Sequence, residues 1–399
     1  RSPSRGLGDV YKRQVIEESE KYPLKNFIVL VPEQFTMQTQ KDLVSMHPRH
    51  GIMNIDVLSF ARLAYRVFEE TGTKQMQVLD DEGKNLILRK IAGDYENKLT
   101  VLKGNIKKLG YISEVKSVIS EFTQYDIGEE EMDEMLDHLD EDSRLYYKLK
   151  DIRLLYEGFQ DYLRERYITK EELLDVLNSQ VKESELLKNS VVVLDGFTGF
   201  TPVQNRLILE LMRCCKEVWV TVTMDERENP YAYKHPYQLF GLSKQMVTTL
   251  IRMAGEEHIE VEEPVCLYGY PVKRFEKNQE LAFLERNIFR YGSGRYDKAV
   301  ENLEIHAAGN PRQEADAVAE GIRRLVRKEQ YRYRDIGVIV SDMNVYGDYL
   351  EQAFENYGIP VFMDHKRSIL LNSFVEYIRS LLNMVKDNFS YESVFRFLR

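Results

Sequence analysis

The run from Val191 to Met212, VVVLDGFTGFTPVQNRLILELM, constrains the fold more than any other stretch of the chain. Val191 to Leu194 are apolar at every position. They are too few for a helix and lack the alternation of a half-exposed strand, which is the pattern of a central strand in a parallel sheet covered on both faces. Asp195 follows at the carboxyl end, the edge at which open α/β sheets bind ligands. A Gly/Thr-rich turn then leads to Thr201-Pro202, a helix start, and to a helix with Leu207, Leu211 and Met212 on one face. The acid has two readings at such an edge. It holds a divalent cation beside a phosphate, or it caps a turn.

The spacing resembles a superfamily 1 helicase motif of the form D-E-x-Q-D-x-x-P-x-Q, with Asp195, Pro202 and Gln204 in register. The resemblance implies a nucleotide-linked role for Asp195, as magnesium ligand, and for Gln204. The departures carry equal weight: Gly196 stands where a glutamate would polarise the attacking water, and Thr198 and Gly199 replace the Gln-Asp pair. Without that carboxylate the lobe should hydrolyse ATP poorly even if it binds it. A second motif is degenerate as well. The strand EVWVTVT (Glu217 to Thr223) ends near Asp225, but the Gly and the γ-phosphate-sensing Gln of G-D-x-x-Q are missing.

With 399 residues the chain has room for two or three domains. No apolar run approaches the roughly 20 residues of a membrane span. Cys214, Cys215 and Cys266 form neither a disulfide framework nor a zinc pattern, which fits a reducing cytoplasm. No histidine pair of the H-E-x-x-H type occurs. The net charge of −10 places any nucleic-acid contact on local basic patches or on a partner, and argues against a DNA-coating protein.

The first fourteen residues, RSPSRGLGDVYKRQ, read as a disordered, non-native junction without apolar periodicity. Gly6, Gly8 and Lys12 do not make the G-x-x-x-x-G-K-[ST] of a phosphate loop. From Val15 the pattern is a helix, a buried strand from Phe27 to Val31, a polar turn, a second strand from Ile52 to Val57, and a helix through Leu63, Val67 and Phe68.

The runs FIVLVPEQFTMQTQKDLV and NIDVLSFARLAYRVFEETG resemble the amino-terminal lobe of the AddB (RexB) subunit of AddAB-type helicase-nucleases, and the similarity continues to the last residue. It implies a missing first strand and phosphate loop upstream of Val15, and nucleotide- or strand-contacting roles for Gln34, Thr36, Ser59 and Arg62. On the residues alone each reads first as an ordinary turn or cap residue, with the contacting role second. The resemblance further implies an AddA motor subunit as partner, ATP and Mg2+ as cofactors of the parent complex, and an iron-sulfur cluster and nuclease domain beyond Arg399, which falls inside a helix begun near Ser390.

Residues 73–188 read as a helical insertion. Asp80 or Asp81 and Ser113 are candidate caps, Thr169 and Glu172 form a capping-box pair, and Leu145, Leu149, Ile152, Tyr156, Phe159 and Leu163 line one seam of a long helix. The acidic run Glu129 to Asp142 reads as a solvated face, and Tyr146, Tyr147 and Tyr156 as core. Asn229 to Phe240, NPYAYKHPYQLF, reads as an ordered loop packed on its own domain, with stacking on a DNA strand as the alternative. A helix from Ser243 and a short strand near Ile259 follow.

From Asn302 a β-α-β-α-β pattern predicts a further parallel sheet with strands at Leu303 to Ala307, Ile336 to Val340 and Ile359 to Met363. Arg312 and Glu314, with Asp364, Lys366 and Arg367, fall at its binding edge. Arg312 and Arg367 are candidate phosphate contacts, or else helix caps and ion-pair partners. The expected architecture is α/β, with two RecA-like parallel-sheet lobes (15–72 with 189–298, and 299–399), a helical insertion (73–188) and a truncated second lobe. The expected function is DNA handling or scanning in a double-strand-break processing complex. An active superfamily 1 ATPase and a scaffold that does not touch DNA are the rivals.

Overall fold

The computed structural model describes residues 7–73, 77–106, 108, 110–164, 167–267, 269, 273–290, 294–363, 369 and 371–399. The chain divides into two compact units, Arg1–Asp297 and Lys298–Arg399.

The first unit opens with α1 (Leu7–Lys21), β1 (Asn26–Leu30), α2 (Thr36–Met46), β2 (Ile55–Leu58) and α3 (Phe60–Thr71). Disorder is not found from Leu7 to Gln14, which form the first half of α1. The reason is a stripe that crosses the suspected junction: Tyr11, Val15, Ile16 and Ser19 recur at helical spacing and are all buried. Lys12 is buried beside them and donates to Asp42 of α2 at 2.7 Å.

The insertion then runs through β3 (Gln77–Leu79), α4 (Asp81–Asp94), α5 (Tyr111–Gln124), α6 (Glu129–Asp137), α7 (Arg144–Leu163), β4 (Tyr167–Thr169), α8 (Leu173–Gln180) and α9 (Glu185–Lys188). Helices α4 to α7 have a core of their own, in which Leu88, Ile91, Ile112, Ile119, Ile152, Leu155 and Phe159 form one apolar cluster, whereas α8 and α9 place Leu177 and Leu187 in the core of the sheet. The seam of α7 holds from Leu149 to Leu163, whereas Leu145 is exposed in the first turn. The acidic helix α6 buries Met132 and turns its carboxylates outward, where Asp133 and Glu129 meet Arg153. Asp80 caps α4 and the Thr169–Glu172 pair is formed, with Thr169 N donating to Glu172 at 2.7 Å. Ser113 caps nothing. α5 starts two residues earlier behind Gly110, whose φ of +90° suits only glycine. Tyr147 lies at the surface, edge-on to Tyr146, instead of in the core.

Two buried polar groups fasten this insertion. Lys84, 2% exposed, donates to Glu171 at 2.7 Å and to Ser120 at 3.1 Å, joining α4, α5 and the turn before α8. Asp151, equally buried, accepts the amides of Thr100, Val101 and Leu102, so the loop after α4 hangs on one carboxylate. β3 and β4 pair in parallel, Val78 opposite Ile168, and close the neck of the insertion. Three-residue strands leave too little periodicity to be read from sequence.

β5 (Ser190–Leu194), α10 (Pro202–Cys214), β6 (Glu217–Val220), α11 (Gly241–Glu256) and α12 (Gln279–Asn287) complete the unit. The four long strands form a parallel sheet of order β2-β1-β5-β6, with Val29 between Val57 and Val193. Helices cover both faces: α3, α8 and α10 seal one with Leu63, Leu177 and Leu207, while α1 and α2 seal the other with Val15 and Leu43. All five residues of β5 are buried, as a central strand requires. No strand forms near Ile259.

The second unit contains α13 (Pro311–Lys328), α14 (Met343–Asn356), α15 (Ser373–Lys386) and α16 (Tyr391–Leu398). Ala315, Ala319 and Ile322 of α13 pack against Leu350, Ala353 and Phe354 of α14 and against Ile359. The three predicted strands are not formed: among the described residues, 303–307, 336–340 and 359–363 take part in no ladder. Ile336 and Val340 lean on the helical core, but Ile305 and Ile339 are fully exposed. Strand propensity is realised only where a neighbour completes the ladder, and among the described residues no ladder joins these segments.

Candidate functional site at the carboxyl edge of the sheet

Because the four strands run parallel, the turns that follow them emerge at one edge. Pro32 to Thr36 follow β1, Ser59 to Arg62 follow β2, Asp195 to Thr201 follow β5 and Thr221 to Phe240 follow β6. Packing draws the first three together. The Cβ position of Gly196 lies 3.6 Å from Pro32, and Phe60 meets Phe197 and Phe200 with ring centroids 5.5 and 6.3 Å apart.

Asp195 stands at the centre of this edge. Its backbone N–H donates to Leu30 at 2.9 Å, continuing the β1–β5 ladder. Both of its carboxylate oxygens are engaged: Thr221 donates to Oδ1 and Tyr11 to Oδ2, each at 2.6 Å. Thr221 was not singled out by sequence, although a hydroxyl at the end of the neighbouring strand was the available signal. A magnesium ion prefers six oxygens in octahedral array. One carboxylate with two hydroxyls already on it does not by itself fit that demand, and among the described residues no group of three or more His, Cys, Asp or Glu converges anywhere. The phosphate-loop pattern does not occur in the sequence either.

The next residue carries more information. Gly196 has φ of +77°, the left-handed region that disfavours any side chain with a Cβ. The missing glutamate is therefore matched by a backbone that turns away from the conformation a glutamate would adopt. Thr201 and Gln204 close a reciprocal cap on α10. Thr201 N donates to Gln204 Oε1 at 3.0 Å, and Gln204 N donates back to the Thr201 hydroxyl at 3.4 Å.

The other expected contacts divide by accessibility. Gln34, in the turn before α2, and Arg62, in the first turn of α3, are exposed at the edge. Thr36 and Ser59 are buried, and their hydroxyls serve the chain: Thr36 donates to the Glu33 carbonyl at 3.0 Å, and Ser59 caps α3 by accepting from Arg62 N. Arg312 is exposed in the first turn of α13, in the second unit. Asp364, Lys366 and Arg367 lie outside the described residues.

Just beyond β6, Asp225, Arg227 and Glu228 are in ion pairs. Asp225 takes two hydrogen bonds from the Arg227 guanidinium and lies 3.4 Å from Arg290, which holds its carboxyl far below the usual range. Glu228 is lowered likewise by Lys244 and Arg290. A cavity of about 190 Å³ opens here between Asp225, Leu239, Phe240, Ile288 and Phe289. The loop from Asn229 does not pack as a whole on its domain, for Tyr231 and Tyr237 are exposed.

A family model described as "ADDB, N-terminal" matches residues 6–285. Among curated proteins, the B subunit of the ATP-dependent helicase/deoxyribonuclease of Lachnoclostridium phytofermentans is 44% identical over 99% of this chain and 35% of its own length. The proteins of the same name from Clostridium kluyveri and Caldanaerobacter subterraneus subsp. tengcongensis are 35% and 36% identical, over 97% and 96% of this chain. The chain spans about one third of the length of these relatives. On this agreement, which runs through the sheet, the insertion and the second unit, the chain belongs to the family of B subunits of the ATP-dependent helicase/deoxyribonucleases.

Proposed function

We propose that the chain is the helicase-like region of a B subunit that processes DNA ends with a motor subunit, and that its sheet edge handles single-stranded DNA without hydrolysing ATP. The relatives' name supplies the helicase/deoxyribonuclease and its division into subunits. The first unit, with its parallel sheet and inserted helical domain, suits a RecA-like lobe. The observation that carries the reading is the turn at Asp195-Gly196. The acid at the centre of the edge is tied by Thr221, and the position that would orient water has neither a carboxylate nor a backbone to carry one. Exposed Gln34 and Arg62 beside a Phe60–Phe197–Phe200 cluster are groups that suit a nucleic-acid strand.

The test uses the complete B subunit, alone and with its motor partner. We expect it to bind single-stranded DNA with an affinity that falls steeply with salt. Asp195→Ala should leave the ATPase rate of the complex within about twofold of wild type, since the motor subunit supplies it. Hydrolysis by the B subunit alone that is lost on Asp195→Ala would establish an active ATPase instead, and absence of DNA binding would leave a scaffold.

A further inference from the structure

The loop from Asn229 to Phe240 holds an arrangement that the sheet-edge reading leaves unused. His235 and Tyr237 stack with ring centroids 5.0 Å apart and planes within 5°, and Tyr237 is 82% exposed. Resting on the proposed single-strand handling, we propose that this pair is a base-stacking step, the outer face of Tyr237 receiving an unpaired nucleobase.

The loop is built to hold its rings outward. Gln238 Oε1 accepts the amides of Lys234 and His235 at 2.9 and 3.1 Å, and Gln238 N donates back to the His235 carbonyl at 3.2 Å. Asn229 accepts the amide of Tyr231 at 2.9 Å, and Pro230 and Pro236 fix their own φ. The base of the loop depends on Gly241, where an added Cβ would lie 2.8 Å from the Pro236 carbonyl oxygen. Such bonding removes much of the entropy that an exposed aromatic would otherwise lose on binding.

Charge narrows the ligand. Arg227, Lys244, Arg286 and Arg290 are each paired with Asp225, Glu226 or Glu228, which leaves the ground behind the loop electrically spent. Lys234, exposed beside His235, has no carboxylate partner among the described residues. A phosphate-reading patch would keep several cations free. One lysine next to a flat, parallel aromatic pair suits a base face with a single phosphate nearby. The loop leaves β6 at the same edge as the turns carrying Gln34, Arg62 and Asp195.

The experiment compares the whole chain with Tyr237→Ala, Tyr237→Trp and Tyr237→Lys. Binding is followed by anisotropy of labelled oligo-dT and by quenching of a 2-aminopurine base within it. Tyr237→Ala should weaken binding about tenfold and abolish the quenching, Tyr237→Trp should retain both, and Tyr237→Lys should bind without quenching. On strands with abasic sites throughout, the difference between wild type and Tyr237→Ala should vanish. Wild-type binding and quenching in Tyr237→Ala would overturn the stacking step while leaving the single-strand reading intact. Failure of the wild type to bind would overturn both. A Tyr237→Ala chain that binds DNA normally but loses the motor subunit would reassign the pair as a protein contact and overturn the proposal.

Discussion

Gly196→Glu restores, on paper, the carboxylate that a hydrolytic site would need, and the structure says why it should fail. The backbone at Gly196 has φ of +77°, so any L side chain there adopts a left-handed conformation costing about 1–2 kcal/mol. Space adds little to that cost, because an added Cβ meets only Pro32 at 3.6 Å, an ordinary contact. Gly196→Ala and Gly196→Glu should therefore destabilise the first unit by a similar amount, about 1–2 kcal/mol. At roughly 2–4 °C per kcal/mol for a unit of this size, the melting temperature should fall by about 2–8 °C. Gly196→Asn should lose less, since Asn tolerates the left-handed region. Differential scanning calorimetry gives the shifts, and a coupled ATPase assay on the complete B subunit alone should show no gain for Gly196→Glu. Two outcomes would refute the reasoning. One is an Ala variant as stable as wild type, which would mean that the turn relaxes freely. The other is a Glu variant that hydrolyses ATP, which would mean that the turn was never the obstacle.

Two further predictions concern buried and paired charge. Lys84→Met leaves the Glu171 carboxylate without its cation and should cost about 3–5 kcal/mol in urea unfolding, whereas Lys84→Met with Glu171→Leu should recover most of that loss; equal losses would show that the pair stabilises through its packing alone. Asp225 is held below its unfolded value near 3.9 chiefly by Arg227, so its contribution is complete above about pH 4 and is lost as the pH falls toward its folded value. Stability measured from about pH 6 to pH 2 should therefore fall less steeply in Asp225→Asn than in wild type, and parallel curves would remove Asp225 from the acid response.

What could be read from sequence follows from how local each signal is. Val191 to Leu194, Asp195 and the Thr201-Pro202-Gln204 start of α10 are each set by neighbours within a few positions, and all are found as expected. The same holds for the Asp80 cap and the Thr169–Glu172 pair. The placement of the candidate site was legible in outline, since Gln34, Arg62 and Asp195 do follow parallel strands at one edge of the sheet. Its chemistry was not, because the hydroxyl of Thr221 reaches Asp195 across a strand pairing that no short window contains. The apolar runs near Ile305, Ile339 and Val361 failed for the opposite reason. Their local pattern is strand-like, but a strand is a relation between two segments, and the partner is not specified locally. α1 began earlier than expected because the burial of Tyr11 and Lys12 is decided by α2 and the sheet rather than by the composition of the tail.

The neck of the insertion bears on how the chain reaches this structure. β1 pairs with β5, whose first residue, Ser190, follows its partner Asn26 by roughly 160 positions. At ordinary synthesis rates of about 5–20 residues per second, β1 and β2 wait on the order of 10–30 seconds for their central neighbour. For that interval the apolar flank of β1 is an open edge, a place where nascent chains pair wrongly. Helices α4 to α7 emerge before β5 and share their own core, so they can collapse alone. Once β3 and β4 join, the ends of a long loop become the ends of a short one, and most of the closure entropy between β1 and β5 has already been met. A nascent chain with β4 disrupted, for example by Ile168→Pro, should fold with a slower main phase and aggregate more readily. The inserted helices then act as an intramolecular guide for the assembly of the sheet they interrupt.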